Sequence, residues 1–262
     1  MTSTDAPFAT RPELHRLALL AVGRTGAGIE RIVRELRGAA RRNKRAIEWR
    51  DLEAALTNDG RPQREADLLW RIAVHEAGHA IAYSLFPVLG EVQTVSIVAT
   101  EGGETLVRLS TDALQTASGL GRMLICFLAG RAAERLVLGE PGVSSGGRAE
   151  SDLARATRLA LDIETTLGLS EEKPLLYRPP SQPGDILHLH QALAARVHGR
   201  LEAAEAEALE LLREHEPALI ELAKQLVQHQ VIDGTSARAV LTRYQDHKAG
   251  QASRESAIPN RE

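Results

Sequence analysis

Ala73-Val74-His75-Glu76-Ala77-Gly78-His79-Ala80 is the stretch on which the reading of this chain turns. It lies in a largely apolar segment that Pro87 stops, which predicts one helix over Glu65–Phe86. A spacing of i, i+4 sets His75 and His79 on one face, one turn apart. Two ring nitrogens then reach a single metal ion at about 2.0–2.1 Å each. Glu76 points to a neighbouring face, where it approaches a water at the metal without ligating it. A hydrolase needs that arrangement, a cation to acidify water and a carboxylate to take its proton. A chance His-Glu-x-x-His is expected about 0.03 times in a chain of this length and composition, so the motif is suggestive and its context must decide. Ile72, Ala73, Val74, Ala77, Ala80, Ile81 and Ala82 make the helix apolar nearly all round, which argues against an exposed helix that merely carries His, Glu and His. Buried charged groups need partners, and a metal with its water satisfies all three. Gly78 costs about 1 kcal/mol of helix propensity against Ala, which predicts a close neighbour at that point.

Outward from this helix, Glu91–Ala99 carries β-branched residues at Val92, Thr94, Val95, Ile97 and Val98 and reads as a strand. Thr105–Leu109 reads as its hairpin partner across a turn at Glu101–Gly103. Leu114–Leu138 reads as a second long helix, Glu140–Gly147 as a loop, and Ala149–Leu167 as a third helix stopped by Gly168. Pro174–Asp185 holds four prolines and is irregular. Ile186–His229 is helical with a break near Pro217, and a turn near Asp233–Gly234 precedes one short final helix. The fold class expected is mainly α with a small hairpin or sheet. A catalytic zinc site takes three protein ligands and leaves a fourth position open. Two acids are candidates for the third. Glu134 lies in Gly130-Arg131-Ala132-Ala133-Glu134, and Asp152 follows a glycine-rich loop. Each also has an ordinary explanation: Glu134 pairs with Arg131 or Arg135, and Asp152 suits a helix N-terminus. Spacing does not choose between them.

Composition narrows the classes. A net charge of −3 argues against a dedicated nucleic-acid binder. Nine Arg or Lys against three Glu between Arg24 and Arg50, and seven Glu against two basic residues between Leu201 and Lys224, read as solvated helix faces. The lone Cys126 sits in the apolar run Met123–Leu128 and reads as a small buried hydrophobe. No stretch approaches the roughly 20 apolar residues of a membrane span, and Met1–Thr10 lacks a signal-peptide pattern, so a cytoplasmic setting is expected. His188 and His190, two residues apart, do not share a helix face and read as surface groups. The breaker cluster Thr57–Pro62 marks a domain boundary. The expected organisation is a disordered start over 1–10, a helical domain over 11–61, a second domain over 62–248, and a flexible tail over 249–262.

Several segments together resemble the FtsH family (M41-type) of membrane-anchored, ATP-dependent zinc proteases. They are Ala73–Ala80, Leu128–Glu134, Ser144–Gly147 with Ser151–Thr157, Gly168–Glu171, Pro174–Tyr177, and the helices holding Leu212–Glu216 and Leu222–Gly234. The likeness covers about Arg64 to Tyr244. It implies zinc as cofactor, one per chain, with Asp152 as third ligand beside His75 and His79, Glu76 as catalytic base, and Glu134 behind a ligand imidazole. It further implies a metalloendopeptidase that cuts unfolded polypeptides laid along a sheet edge, which would be Val95, Ser96, Ile97, Val98 and Ala99 here. The family's Pro-Arg pair after that strand is replaced by Ala99-Thr100. Leu14–Leu56 is similar to the helical lid of an AAA ATPase module. No Gly-x-x-x-x-Gly-Lys-Ser/Thr phosphate loop occurs in the 262 residues, so this chain is expected to bind no ATP. Met1–Arg11 does not resemble the end of an ATPase core, which favours a stand-alone relative. The partners implied are a homo-oligomer or an AAA ATPase or FtsH-like ring. The competing expectation is a non-catalytic, regulatory adaptor of such a ring, for which the missing motor counts and the intact His75, Glu76, His79 and Asp152 do not.

Overall fold

The structure, a computed structural model, describes residues 12–22, 24–58, 65–99, 102–179 and 190–255. The chain divides into two compact units, Met1–Glu65 and Ala66–Glu262. The expected boundary cluster falls mostly outside the described residues, as do the segments 1–10, Thr100–Glu101 and 256–262.

The first unit holds α1 (Pro12–Leu20), α2 (Gly26–Arg42) and α3 (Trp49–Asn58). Pro12 opens α1, where its missing N–H costs nothing. Gly26 and Gly28, residues that weaken a helix interior, form the first turn of α2. Thr25 is the reason: its hydroxyl accepts the Gly28 N–H at 3.1 Å and caps the helix. Leu20, Ile32, Ala40 and Leu56 are the buried apolar residues here. Exposed pairs such as Arg31–Glu35 and Arg34–Glu30 decorate α2 and contribute about 0.3–0.5 kcal/mol each at most.

The second unit is mainly α. In chain order it contains α4 (Ala66–Leu85), β1 (Gly90–Ala99), β2 (Gly102–Leu109), α5 (Ala117–Leu138), α6 (Asp152–Thr165), α7 (Gln191–Glu214), α8 (Glu216–His229), β3 (Val231–Asp233) and α9 (Gly234–Glu255). The α4 helix is buried without a break from Ile72 to Tyr83, as its all-round apolar sequence predicts. It packs on α5, on α8 and on the sheet. Gly78 sets the closeness of α4 to α5: a Cβ there would stand 2.6 Å from the Ala129 carbonyl oxygen and from Ala133. The core continues through α7 and α8, where Ala208, Leu212, Leu219, Leu222 and Leu226 are fully buried. Truncating one of those leucines to Ala should cost about 2–5 kcal/mol. Among the described residues, no helix is long and apolar enough to cross a membrane.

Four expectations change. The helix over Leu114–Leu138 is interrupted: a 3-10 turn spans Ala113–Gln115, and α5 begins after Thr116, whose hydroxyl accepts the Gly119 N–H at 3.0 Å. The last helix is long, not short, and its run to Glu255 takes in the first part of the expected tail. A third strand, β3, was not foreseen. The sheet order is therefore β2-β1-β3, with β1 antiparallel to both neighbours. Thr94, Val95 and Ser96 pair with Asp233, Ile232 and Val231, and the Ile97 N–H bonds the Gln230 carbonyl. The expectation that Val95, Ser96, Ile97, Val98 and Ala99 form a sheet edge is thus corrected. They lie in the central strand, whose backbone is already engaged on both sides over Val95–Ser96. Among the described residues the edge strand next to α4 is β2.

Candidate metal centre

α4 supplies two imidazoles and α6 supplies a carboxylate from its first turn. Ser151 caps α6, accepting the Ala154 N–H, and so fixes where the helix begins and where Asp152 stands. His75 Nε2 and His79 Nε2 are 3.1 Å apart, and Asp152 Oδ2 is 3.2 Å from each. Both rings are 6% exposed. Among the described residues this is the one group of three His, Cys, Asp or Glu side chains close enough to hold an ion. Glu134, the other sequence candidate, does not join it.

Glu134 instead stands behind His75. It is fully buried, and His75 Nδ1 donates to its Oε1 at 2.7 Å. Its other oxygen accepts from Arg71 at 2.7 Å and from the Gly142 N–H at 2.5 Å. Burial by itself raises the Glu134 carboxyl, but the bonds from His75, Arg71 and Gly142 outweigh it and hold the group below the usual carboxylate range. On the other ring, His79 Nδ1 lies 2.8 Å from the Cys126 carbonyl. A carbonyl only accepts, so that nitrogen carries the hydrogen.

These outer bonds settle what faces inward. With hydrogen on both Nδ1 atoms, each neutral ring turns a lone pair at Nε2 towards Asp152 Oδ2. Three acceptors within 3.2 Å repel unless a positive charge lies between them. The shifts of these groups show that the place attracts positive charge, which a proton on His75 Nε2 or a metal ion between the three atoms can supply. Burial alone lowers the His75 imidazolium, yet the Asp152 and Glu134 carboxylates raise it to about 10. Burial alone raises the Asp152 carboxyl, yet the two imidazoles hold it well below the carboxylate range. A tetrahedral zinc with bonds of about 2.0–2.1 Å spaces its ligand atoms about 3.3–3.4 Å apart, so the donor set fits such an ion. Gly130 of α5 keeps the place open, since a Cβ there would stand 2.5 Å from His79 Nε2 and 2.6 Å from His75 Nε2.

Glu76 is 6% exposed and lies against β2. Burial pushes its carboxyl up, opposed by His75, His79 and Thr105. Thr105 Oγ1 donates to Glu76 Oε2 at 2.8 Å. The sequence reading missed Thr105, Arg71 and the close approach of Gly130. Only Gly130 carried a signal, as a glycine inside a buried helix. Cys126 is buried as expected, and burial pushes its thiol up. His188 lies outside the described residues, and His190 is exposed.

The chain matches the peptidase family M41 over residues 69–240. It is 29% identical over 280 residues to an ATP-dependent zinc metalloprotease FtsH of Chloroflexus aggregans, covering 97% of this chain and 42% of that protein. It is 30% identical over 245 residues to an ATP-dependent zinc metalloprotease FtsH 2 of Symbiobacterium thermophilum, covering 88% of this chain and 41% of the relative. It is 30% identical over 252 residues to an ATP-dependent zinc metalloprotease FtsH of Mycobacterium tuberculosis, covering 88% and 33%. The chain thus spans 33–42% of the length of these relatives. With a match across most of its length and the His, His, Asp group inside the matched residues, the chain belongs to peptidase family M41.

Proposed function

We propose that this chain is a zinc metalloendopeptidase that hydrolyses peptide bonds of unfolded polypeptides. The observation that carries the reading is the convergence of three acceptors, His75 Nε2, His79 Nε2 and Asp152 Oδ2, within 3.2 Å of one another, the two rings buried and the carboxylate partly so. These three would hold the zinc, and Glu134 fixes the His75 ring from behind. When bound, the ion supplies Lewis-acid chemistry, acidifying a water and polarising a carbonyl. Glu76 follows His75 directly in α4 and is the general base: it takes the proton from the attacking water and passes it to the leaving amine. β2 is the strand along which an extended substrate lies, because it is the edge strand beside α4 and its Thr105 touches Glu76. The names of the relatives support zinc and proteolysis. With no phosphate loop in the 262 residues, any ATP-driven unfolding comes from a motor outside them, and the first unit is read as the lid-like part.

Cleavage of casein by the zinc-loaded chain tests this. The Glu76→Gln protein should keep its zinc and lose about 10²–10⁴-fold in rate, the share typical of a general base. Equal cleavage by parent and Glu76→Gln proteins would remove Glu76 from the mechanism. A zinc-loaded parent that cuts nothing would favour the adaptor reading.

A further inference from the structure

The sheet reaches Glu76 through one side chain whose role the reaction so far leaves unused. Thr105 Oγ1 lies 2.8 Å from Glu76 Oε2 and 3.2 Å from the Glu76 carbonyl oxygen. Both acceptors belong to the same residue. A threonine hydroxyl has one hydrogen and two lone pairs, so it can donate to only one of them at a time. While the carboxylate is ionised the hydrogen goes to Oε2, which gives the stronger, charge-assisted bond. Gly103, two residues earlier on the same face of β2, presses on the same carboxylate: a Cβ there would stand 2.4 Å from Glu76 Cγ and Oε1. Glu76 is thus bonded by β2 at Thr105 and fills the space that a side chain at 103 would need. Between those two residues, Glu104 is exposed, and so is Leu106 beyond Thr105.

We propose that Thr105 is the positioning residue of the general base, so that the strand receiving the substrate also sets the orientation of the Glu76 carboxylate. This rests on the hydrolase reading above. The hydroxyl suits both stages of the cycle. After Glu76 takes a proton from water on its other oxygen, Oε2 still accepts from the Thr105 hydroxyl, so the carboxyl group keeps its place while it passes that proton on. No proton is gained or lost by Thr105 in either stage. Valine has the shape of threonine and can donate in neither; serine keeps the hydroxyl.

The test compares the 262-residue parent, Thr105→Val and Thr105→Ser proteins, each zinc-loaded, on a fluorogenic casein-derived peptide. Thr105→Val should lower kcat about 10- to 100-fold, the loss typical when a supporting hydrogen bond behind a site is removed. KM should stay within about twofold, because the interaction acts on the base and not on substrate binding. Zinc content should be unchanged, and Thr105→Ser should restore most of kcat. Crystal structures of the three proteins give a readout independent of activity: the Glu76 carboxylate should leave its position in Thr105→Val and keep it in Thr105→Ser. A Thr105→Val protein with parental kcat, with lost zinc, or with an unmoved carboxylate overturns the proposal. If the parent cleaves nothing, the hydrolase reading fails, and the carboxylate positions alone decide for or against Thr105.

Discussion

Two buried polar clusters in the second unit look alike at first and differ in their charge balance. Glu164 is 2% exposed and accepts from Ser170 at 3.0 Å, Arg196 at 3.0 Å and Arg200 at 2.6 Å. Donors surround one acceptor, Arg196 also pairs with Glu172 at 2.9 Å so that two carboxylates balance two guanidiniums, and the cluster ties α6 to α7. At His75, His79 and Asp152 the outer faces of the rings are satisfied and the inner faces are three acceptors with no donor among them. Burial and charge are common to both. What separates a structural cluster from a binding centre is whether the protein's own groups complete it, and the second one requires a cation.

That contrast can be broken or sharpened experimentally. The largest effect should come from metal removal. If zinc stands at about 1,000 times its dissociation constant, chelation should lower unfolding free energy by about 4 kcal/mol. Denaturation followed with and without chelator measures it, and a midpoint indifferent to chelator would put the two clusters on the same footing. Next in size is the closed cluster. Glu164→Ala should cost about 2–3 kcal/mol in urea denaturation, below the usual range for breaking a buried pair because both arginines are partly exposed and can turn to water. Its zinc content should not change; a loss would join the two clusters. Glu134→Gln should weaken zinc binding about 10- to 100-fold without abolishing it, as read by competition with a chromophoric chelator. An unchanged affinity would mean that the bond to His75 is idle.

The smallest effect concerns pH. Burial raises the Glu164 carboxyl, but Arg200, Ser170 and Arg196 outweigh it and leave the folded-state value depressed. A depressed value means that the unfolded chain binds the proton more readily. The stabilisation is complete above the ordinary carboxylate range and lost as pH falls through and below it. The stability gap between parent and Glu164→Ala should be level from about pH 8 to 6 and shrink below about pH 4.5. A gap that widens in acid would reverse the assigned sign.

How much of this was legible beforehand varies with the physics of each part. α4 announced itself because burial on every face left an apolar stretch with a proline stop, and the i, i+4 histidines fixed their own mutual geometry. Gly78 signalled its close neighbour by its cost in a helix. Asp152 was different. It lies 77 residues from His75, and only tertiary packing brings it near, so local spacing could not prefer it to Glu134 and the family resemblance had to. β3 escaped because three residues show no alternation; the pairing with β1 makes it a strand. The family resemblance put the edge at β1, and the unseen β3 left nothing in the sequence to oppose it. Thr105 gave no sign at all, a polar residue in a strand being ordinary until the helix beside it is seen.

Metal analysis of the purified chain tests the central claim most directly, taken together with Asp152→Ala and Glu76→Gln proteins prepared in the same way. One zinc per chain is predicted in the parent and in Glu76→Gln, and none held tightly in Asp152→Ala. A full complement of zinc in Asp152→Ala, or a zinc-supplied parent that retains none, would contradict it.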